Sequence, residues 1–392
     1  MKKVILWPLI FVAFFIASQF PLYSQQFDTT VFYSSLKTCW EQSGVKAMNF
    51  GFVTRGGQRF TESFGPAVWT QDSPLTADHI FRIASMTKAI TSVAVLQLWE
   101  RGLIDLDDPA EKYLPGIDLI PILQPEGVLK QGSVSITIRH LLTHTSGFSY
   151  EMFDQRLSAF SRPDDWPHGD FPRLAEAGTE WIYSTSTDWA GKIIEVVSGL
   201  NLEDYFRENI TGPLNMDHTW FYVPEALQYL IVSLGTRNTS GDGSLREFPE
   251  RVPASPVKEY NGGSGLFSSL NDYLTFLECI LNGGELNGNR ILNGETVELM
   301  FVDQLPEVLG LSDLEAANTN RMAHGLTWAI QLTDNDFGRR AGSAYWSGYL
   351  NTYYSIDKNT GIAVVAMSNL LPFLDRGSLD LYKTFERLVR QN

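Results

Sequence analysis

Phe81-Arg82-Ile83-Ala84-Ser85-Met86-Thr87-Lys88, running on into Ala89-Ile90-Thr91-Ser92-Val93-Ala94-Val95-Leu96, is the stretch on which the reading of this chain turns. An α-helix completes a turn in about 3.6 residues, so Ser85 and Lys88 share a face and the amine can reach the hydroxyl. A serine hydroxyl attacks poorly at neutral pH unless a nearby base takes its proton. A lysine desolvated against apolar packing can have its pKa lowered enough to help. Ser85 also falls at the start of the helix, where unpaired N–H groups stabilise developing negative charge.

The spacing recurs at Ser34/Lys37, Ser43/Lys46, Ser255/Lys258 and Ser355/Lys358, so context has to choose. Pro256 disturbs any helix starting at Ser255, and Ser355 follows the β-rich run Leu350-Asn351-Thr352-Tyr353-Tyr354. Ser34 and Ser43 lie on or beside a short helix ending near Gly44. Only Ser85 opens a long buried helix, with Ala89, Ile90, Val93, Ala94, Leu96 and Leu98 as its apolar positions and Gly102 placed to end it.

The chain has 392 residues, 44% hydrophobic and 12% aromatic, which supplies a large core and excludes a disordered protein. Its 45 acidic and 30 basic residues give a formal charge of −15, which argues against nucleic acid and anionic membrane surfaces as partners. Lys2 and Lys3, then an apolar run from Val4 to Phe20 and small or polar residues near Ser18 and Ser24, read as a secretory signal over residues 1–24. Export, periplasmic or secreted, is the expectation, with an uncleaved membrane anchor as the competing reading. Cys39 and Cys279 both fall in apolar helical patterns, which favours buried free thiols over a disulfide. His140 and His144 lack a companion carboxylate motif, so no metal site is expected.

Residues 27–42 have helical spacing. Strands follow at 47–54 and 58–64, turned by Arg55-Gly56-Gly57. Helices are expected near 138–143, 186–197 and 202–209 in a mostly helical middle, then at 270–281 after Gly262-Gly263-Ser264-Gly265. Strands return at 324–333, 349–356 and 361–368, before a closing amphipathic helix at 379–389. Strands at both ends of a helical middle predict one sheet assembled from distant segments with an inserted helical domain. The α/β part takes residues 25–105 and 253–392 and the helical part 106–252.

A Ser-Lys pair needs a partner that passes the proton to the leaving group, and Tyr183, in Gly178-Thr179-Glu180-Trp181-Ile182-Tyr183-Ser184, stands just before a helix. A strand edge must also bring backbone N–H groups to the scissile carbonyl; Trp346-Ser347-Gly348 offers one, with an aromatic wall and a glycine that permits close approach. No Gly-x-Ser-x-Gly run occurs, which removes the α/β-hydrolase elbow. His144, at a helix end running into a turn, fits a structural hydrogen-bonding role better than that of a base.

Four segments in this order resemble the serine β-lactamase and penicillin-recognising superfamily, most closely its class C-like branch with the family VIII carboxylesterases. Phe81 to Lys88 resembles the family's first motif, and Leu141-Leu142-Thr143-His144-Thr145-Ser146-Gly147 its Leu-Leu-x-His-Thr-Ser-Gly segment. Tyr183 falls at the tyrosine of Tyr-x-Asn, and Gly262 to Leu266 matches a Gly-Gly-x-Gly-Leu segment. The resemblance covers residues from about Phe32 to the C-terminus. It implies a β-lactamase/transpeptidase-like α+β fold, an antiparallel sheet flanked by helices with an inserted all-helical domain and the cleft between the two lobes, together with acylation of Ser85 and Lys88 with Tyr183 as proton carriers. It also implies an oxyanion hole from the N–H groups of Ser85 and Tyr349, and substrate contacts at Thr185, Trp346, Ser347 and Gly348. No cofactor is required.

Two departures shape the expected activity. Thr185 stands where the family keeps asparagine, although a following aspartate such as Asp188 is similar to what some esterase members carry. Trp346-Ser347-Gly348 replaces Lys-Thr-Gly, removing the lysine that would hold a lactam carboxylate. The expectation is therefore an exported serine hydrolase acting on small-molecule esters. A D-amino-acid peptidase or D-Ala-D-Ala carboxypeptidase, a weak β-lactamase and a non-catalytic penicillin-binding-like protein remain as alternatives.

Overall fold

Alternate residues of a strand face opposite sides of its sheet, and that alternation assigns the layers. The computed structural model of the protein describes residues 29–253 and 257–391; the expected leader at residues 1–24, and Ser255, lie outside them. The main sheet is made of β1 (Met48–Thr54), β2 (Arg59–Phe64), β3 (Ala329–Ile330), β4 (Ala344–Gly348), β5 (Thr352–Asp357) and β6 (Ile362–Met367). Their spatial order is β3-β4-β5-β6-β1-β2, antiparallel throughout. Strands from both ends of the chain thus meet in one sheet, as expected, with β6 of the C-terminal part beside β1.

Phe50 and Phe52 of β1 and Val364 and Ala366 of β6 join one core. That core is closed by α1 (Thr29–Ser43) through Phe32 and Leu36, and by α5 (Arg376–Gln391) through Leu381 and Phe385. Val53, Ala363 and Val365 face the other core. There α4 (Leu270–Leu281) lies so close to β1 that a Cβ on Gly51 would stand 2.6 Å from Leu274 Cδ1. α2 (Thr87–Glu100) is buried on every side from Thr87 to Leu98 and packs against α3 (Ser186–Ser198). An all-round apolar helix is a core helix, and this one carries Lys88 into the interior.

Three expectations are corrected. The strand expected over 349–356 starts at Thr352, because Asn351 takes φ +60° and its amide donates to the carbonyls of Leu370 and Pro372. The strand expected over 324–333 shrinks to Ala329–Ile330, since Gly325 N–H donates to Trp328 O and closes a turn. Between 106 and 252 most helices are short and loops dominate; the exceptions are α3 and the continuous stretch Leu202–Thr211, whose second half is wound as a π-helix. The end of that segment, Gly235–Arg237, pairs in parallel with Leu370–Leu371. Cys39 and Cys279 are free thiols, and burial pushes Cys279 up to about 12.

Candidate active site

Ser85 sits on a tight turn, Ala84–Met86, that feeds directly into α2. The residue before it, Ala84, has φ +44°, a conformation L side chains adopt only when their surroundings enforce it. The surroundings do so on three sides. Ile83 N–H donates to Leu266 O (3.1 Å), Leu266 N–H donates to Thr87 Oγ1 (3.1 Å), and Tyr273 Oη donates to Met86 O (3.0 Å). On the fourth side β4 closes in: a Cβ on Gly348 would lie 2.2 Å from Ile83 O. Gly348 therefore serves close approach of the strand and does not itself line the cavity.

Lys88 is 1% exposed. Its ammonium donates to Gly263 O at 2.7 Å, to Tyr150 Oη at 2.9 Å and to Ser85 Oγ at 3.4 Å. Burial alone would lower its pKa, but the charges of Tyr150, Tyr183 and Asp188 outweigh burial and the net direction is upward. This corrects the expectation of a lysine whose pKa is lowered by desolvation. Three N–H donors meet three oxygens, the arrangement of a charged ammonium. Asp188 holds the same glycine by its other backbone group: its carboxylate accepts from Gly263 N–H at 2.6 Å. The glycine run is thus a spacing device, since a Cβ on Gly263 would stand 2.7 Å from Asp188 Oδ1.

A cavity of about 720 Å³ opens over Ser85. Ser85, Tyr183, Trp346, Ser347 and Tyr349 all line it, so the structure brings these expected site residues together. Trp346 lies against the Tyr183 ring (centroids 5.1 Å) and stacks on His144 at 6.5 Å. Tyr349 stacks on Phe373 at the rim. Thr185 is the exception: its hydroxyl donates to Asp170, which also accepts from Trp189 Nε1, and it does not line the cavity.

Tyr150 was missed. It follows Gly147 by three residues, and the glycine (φ +85°, with Ala175 O where a Cβ would go) turns the chain back toward α2. His144 plays the structural part expected of it. Its Nδ1 shares a hydrogen bond with Ser184 Oγ (3.0 Å), its carbonyl accepts from Ile182 N–H, and burial keeps its pKa well below the ordinary imidazole value. It fixes the segment bearing Tyr183, whose own hydroxyl is buried without a hydrogen-bond partner among the described residues. Among the described residues no cluster of His, Cys, Asp and Glu is suited to a metal. No described helix is long and apolar enough to cross a membrane.

A seryl oxygen beside a buried ammonium, between two tyrosines and under apolar walls, is equipped to form and release an ester. The beta-lactamase family model matches residues 34–388. The chain is 30% identical over 369 residues to the monacolin J acid methylbutanoyltransferase of Aspergillus terreus, covering 85% of this chain and 88% of that protein. It is 29% identical over 353 residues to the lovastatin esterase of Penicillium rubens, covering 80% and 86%. Among solved structures, a simvastatin synthase mutant from Aspergillus terreus superposes with a TM-score of 0.81 at 30% identity, over 92% of this chain and 94% of that one. A penicillin-binding protein homologue from Pyrococcus abyssi shares the fold, with a TM-score of 0.66 at 21% identity over 91% of this chain and 76% of that one.

Proposed function

From the premise that this chain belongs to the beta-lactamase family and is an enzyme of the serine-hydrolase type, we propose that it cleaves esters with bulky apolar parts through an acyl-enzyme on Ser85. The observation that carries the reading is Ser85 Oγ lying 3.4 Å from a buried Lys88 Nζ and lining a cavity walled by Tyr183, Trp346 and Phe153. Ser85 attacks the ester carbonyl, and the N–H groups of Ser85 and Tyr349 stabilise the oxyanion. Lys88 holds positive charge beside the developing anion. Tyr183, whose hydroxyl has no hydrogen-bond partner among the described residues, orients the leaving oxygen. Export rests on the composition of residues 1–24 alone and belongs to the same proposal.

Transfer of the acyl group to an alcohol is the second reading, and two observations favour it. The cavity is large enough to seat an organic acceptor beside the acyl-enzyme, and relatives of this chain are named as methylbutanoyltransferases. Trp346 in place of the lysine, with its ring packed on Tyr183, disfavours lactams and other carboxylate-anchored substrates. A panel of p-nitrophenyl and alkyl butyrates, a D-Ala-D-Ala peptide and a chromogenic cephalosporin, each with and without an added alcohol, decides among these. Esters turned over fastest, with turnover lost in Ser85→Ala, bear the proposal out. A peptide or cephalosporin turned over faster than every ester overturns it.

A further inference from the structure

The resemblance points to Tyr183, yet the hydroxyl in contact with Lys88 is that of Tyr150, 62 positions along the chain from it. The two tyrosines are differently committed. Tyr183 presents its ring to Lys88, with Nζ 4.9 Å from the centroid, and its hydroxyl has no hydrogen-bond partner among the described residues. Tyr150 Oη lies 2.9 Å from Nζ, and Tyr150 lines the cavity with Ser85. Gly263 O can only accept, so one N–H of Lys88 is fixed there. What remains is a continuous path of hydrogen bonds from Ser85 Oγ through Lys88 Nζ to Tyr150 Oη.

We propose that Tyr150 is the terminal proton carrier of the site: Lys88 relays the Ser85 proton to the Tyr150 oxygen, which then delivers it to the leaving alcohol. This rests on the reading of Ser85 as the acylated nucleophile. In the reactive state Ser85 is a hydroxyl, Lys88 an ammonium and Tyr150 a phenolate. As the Ser85 oxygen bonds to the acyl carbon, its proton passes to Lys88 and Lys88 gives one to Tyr150, leaving an ammonium, a phenol and the oxyanion. As the carbon–alkoxy bond breaks, the phenol proton goes to the departing oxygen and the phenolate returns. Water or an alcohol acceptor then runs the steps in reverse, giving its proton to Tyr150 and freeing Ser85.

The reactive state holds one proton fewer than the resting pair. Tyr150, Tyr183, Asp188 and the neutral His144 surround Lys88. Burial raises the Tyr150 phenol against the opposing pull of Lys88, so both members of the pair are protonated at neutral pH. Acylation therefore accelerates toward alkaline pH along a limb that belongs to this pair.

The test is the rate of Ser85 acylation, read as the p-nitrophenol burst, as alkyl ester turnover and as fluorophosphonate labelling, from neutral to alkaline pH. Tyr150→Phe is expected to slow acylation by roughly 10²- to 10⁴-fold and to abolish the alkaline limb. The loss should be larger for alkyl than for p-nitrophenyl esters, because only the alkoxide needs a proton to leave. Tyr183→Phe should keep the limb. Tyr150→His, which restores a titratable group, should recover part of the rate with its limb near the imidazole value of about 6.5. Tyr150→Phe acylating within about threefold of the wild type, limb in place, overturns the Tyr150 proposal alone. Wild-type protein that takes no label at Ser85 overturns the acyl-enzyme reading and this proposal with it.

Discussion

His324 shows how a single buried ring sets a pH limit on the site. Its Nδ1 lies 2.7 Å from Gly325 O and so carries the proton, while Nε2 is buried without a hydrogen-bond partner among the described residues. The ring packs edge-on to His144 and Trp346, and burial lowers its pKa to about 4. A group whose pKa is lower folded than unfolded takes up protons preferentially in the unfolded chain. Stability is therefore full above about 6.5 and falls as the pH drops toward the folded value, by on the order of 3 kcal/mol for this ring. His144 acts in the same direction. Melting temperature against pH should decline from about pH 6.5 downward, and more shallowly in His324→Asn, whose amide can still donate to Gly325 O. An equal decline in both proteins removes His324 as the cause.

β4, the turn bearing Ser85 and α2 form one unit, and its tolerance is set by Gly348. A methyl there would meet Ile83 O at 2.2 Å and Thr352 Oγ1 at 2.3 Å, neither of which is free to move, because Thr352 Oγ1 itself donates to Ile83 O. Gly348→Ala is expected to lose about 1 to 3 kcal/mol of stability. It should also reduce ester turnover more than it raises KM, since the strand edge moves off Ser85. Unchanged turnover in a stable variant shows that the edge is not part of the site. These elements were legible in the sequence to different degrees. Ser85 and Lys88 could be paired because helical spacing is local, and the edge because Trp346-Ser347-Gly348 carries its own chemistry. Tyr150 could not be paired with Lys88, since only the turn at Gly147 and the packing of distant segments brings them together. Thr185 reads as a site residue by position, but its hydroxyl finds Asp170 in the folded chain. The charge of Lys88 was misread for the same reason: burial is local and visible as an apolar run, whereas the groups that outweigh it come from elsewhere.

At the scale of the whole molecule, the sheet separates two tasks. Its α1/α5 face is sealed by aromatic packing and a buried charge network. Arg339 donates to both carboxylate oxygens of Glu386, and Arg390 bonds Asp357. Taking one partner from such a network strands the other charge in a poorly solvating interior. The opposite face supports α4, which with α2 and the glycine run of 262–265 holds the buried Lys88 within reach of Ser85, the residue that lines the cavity. The central claim is that this architecture exists to acylate Ser85, and mass spectrometry of the full chain after brief exposure to p-nitrophenyl butyrate or a fluorophosphonate tests it most directly. The account predicts a single adduct on the peptide carrying Ser85, absent in Ser85→Ala. An adduct on another residue, or an unmodified protein that still turns over ester, would contradict it.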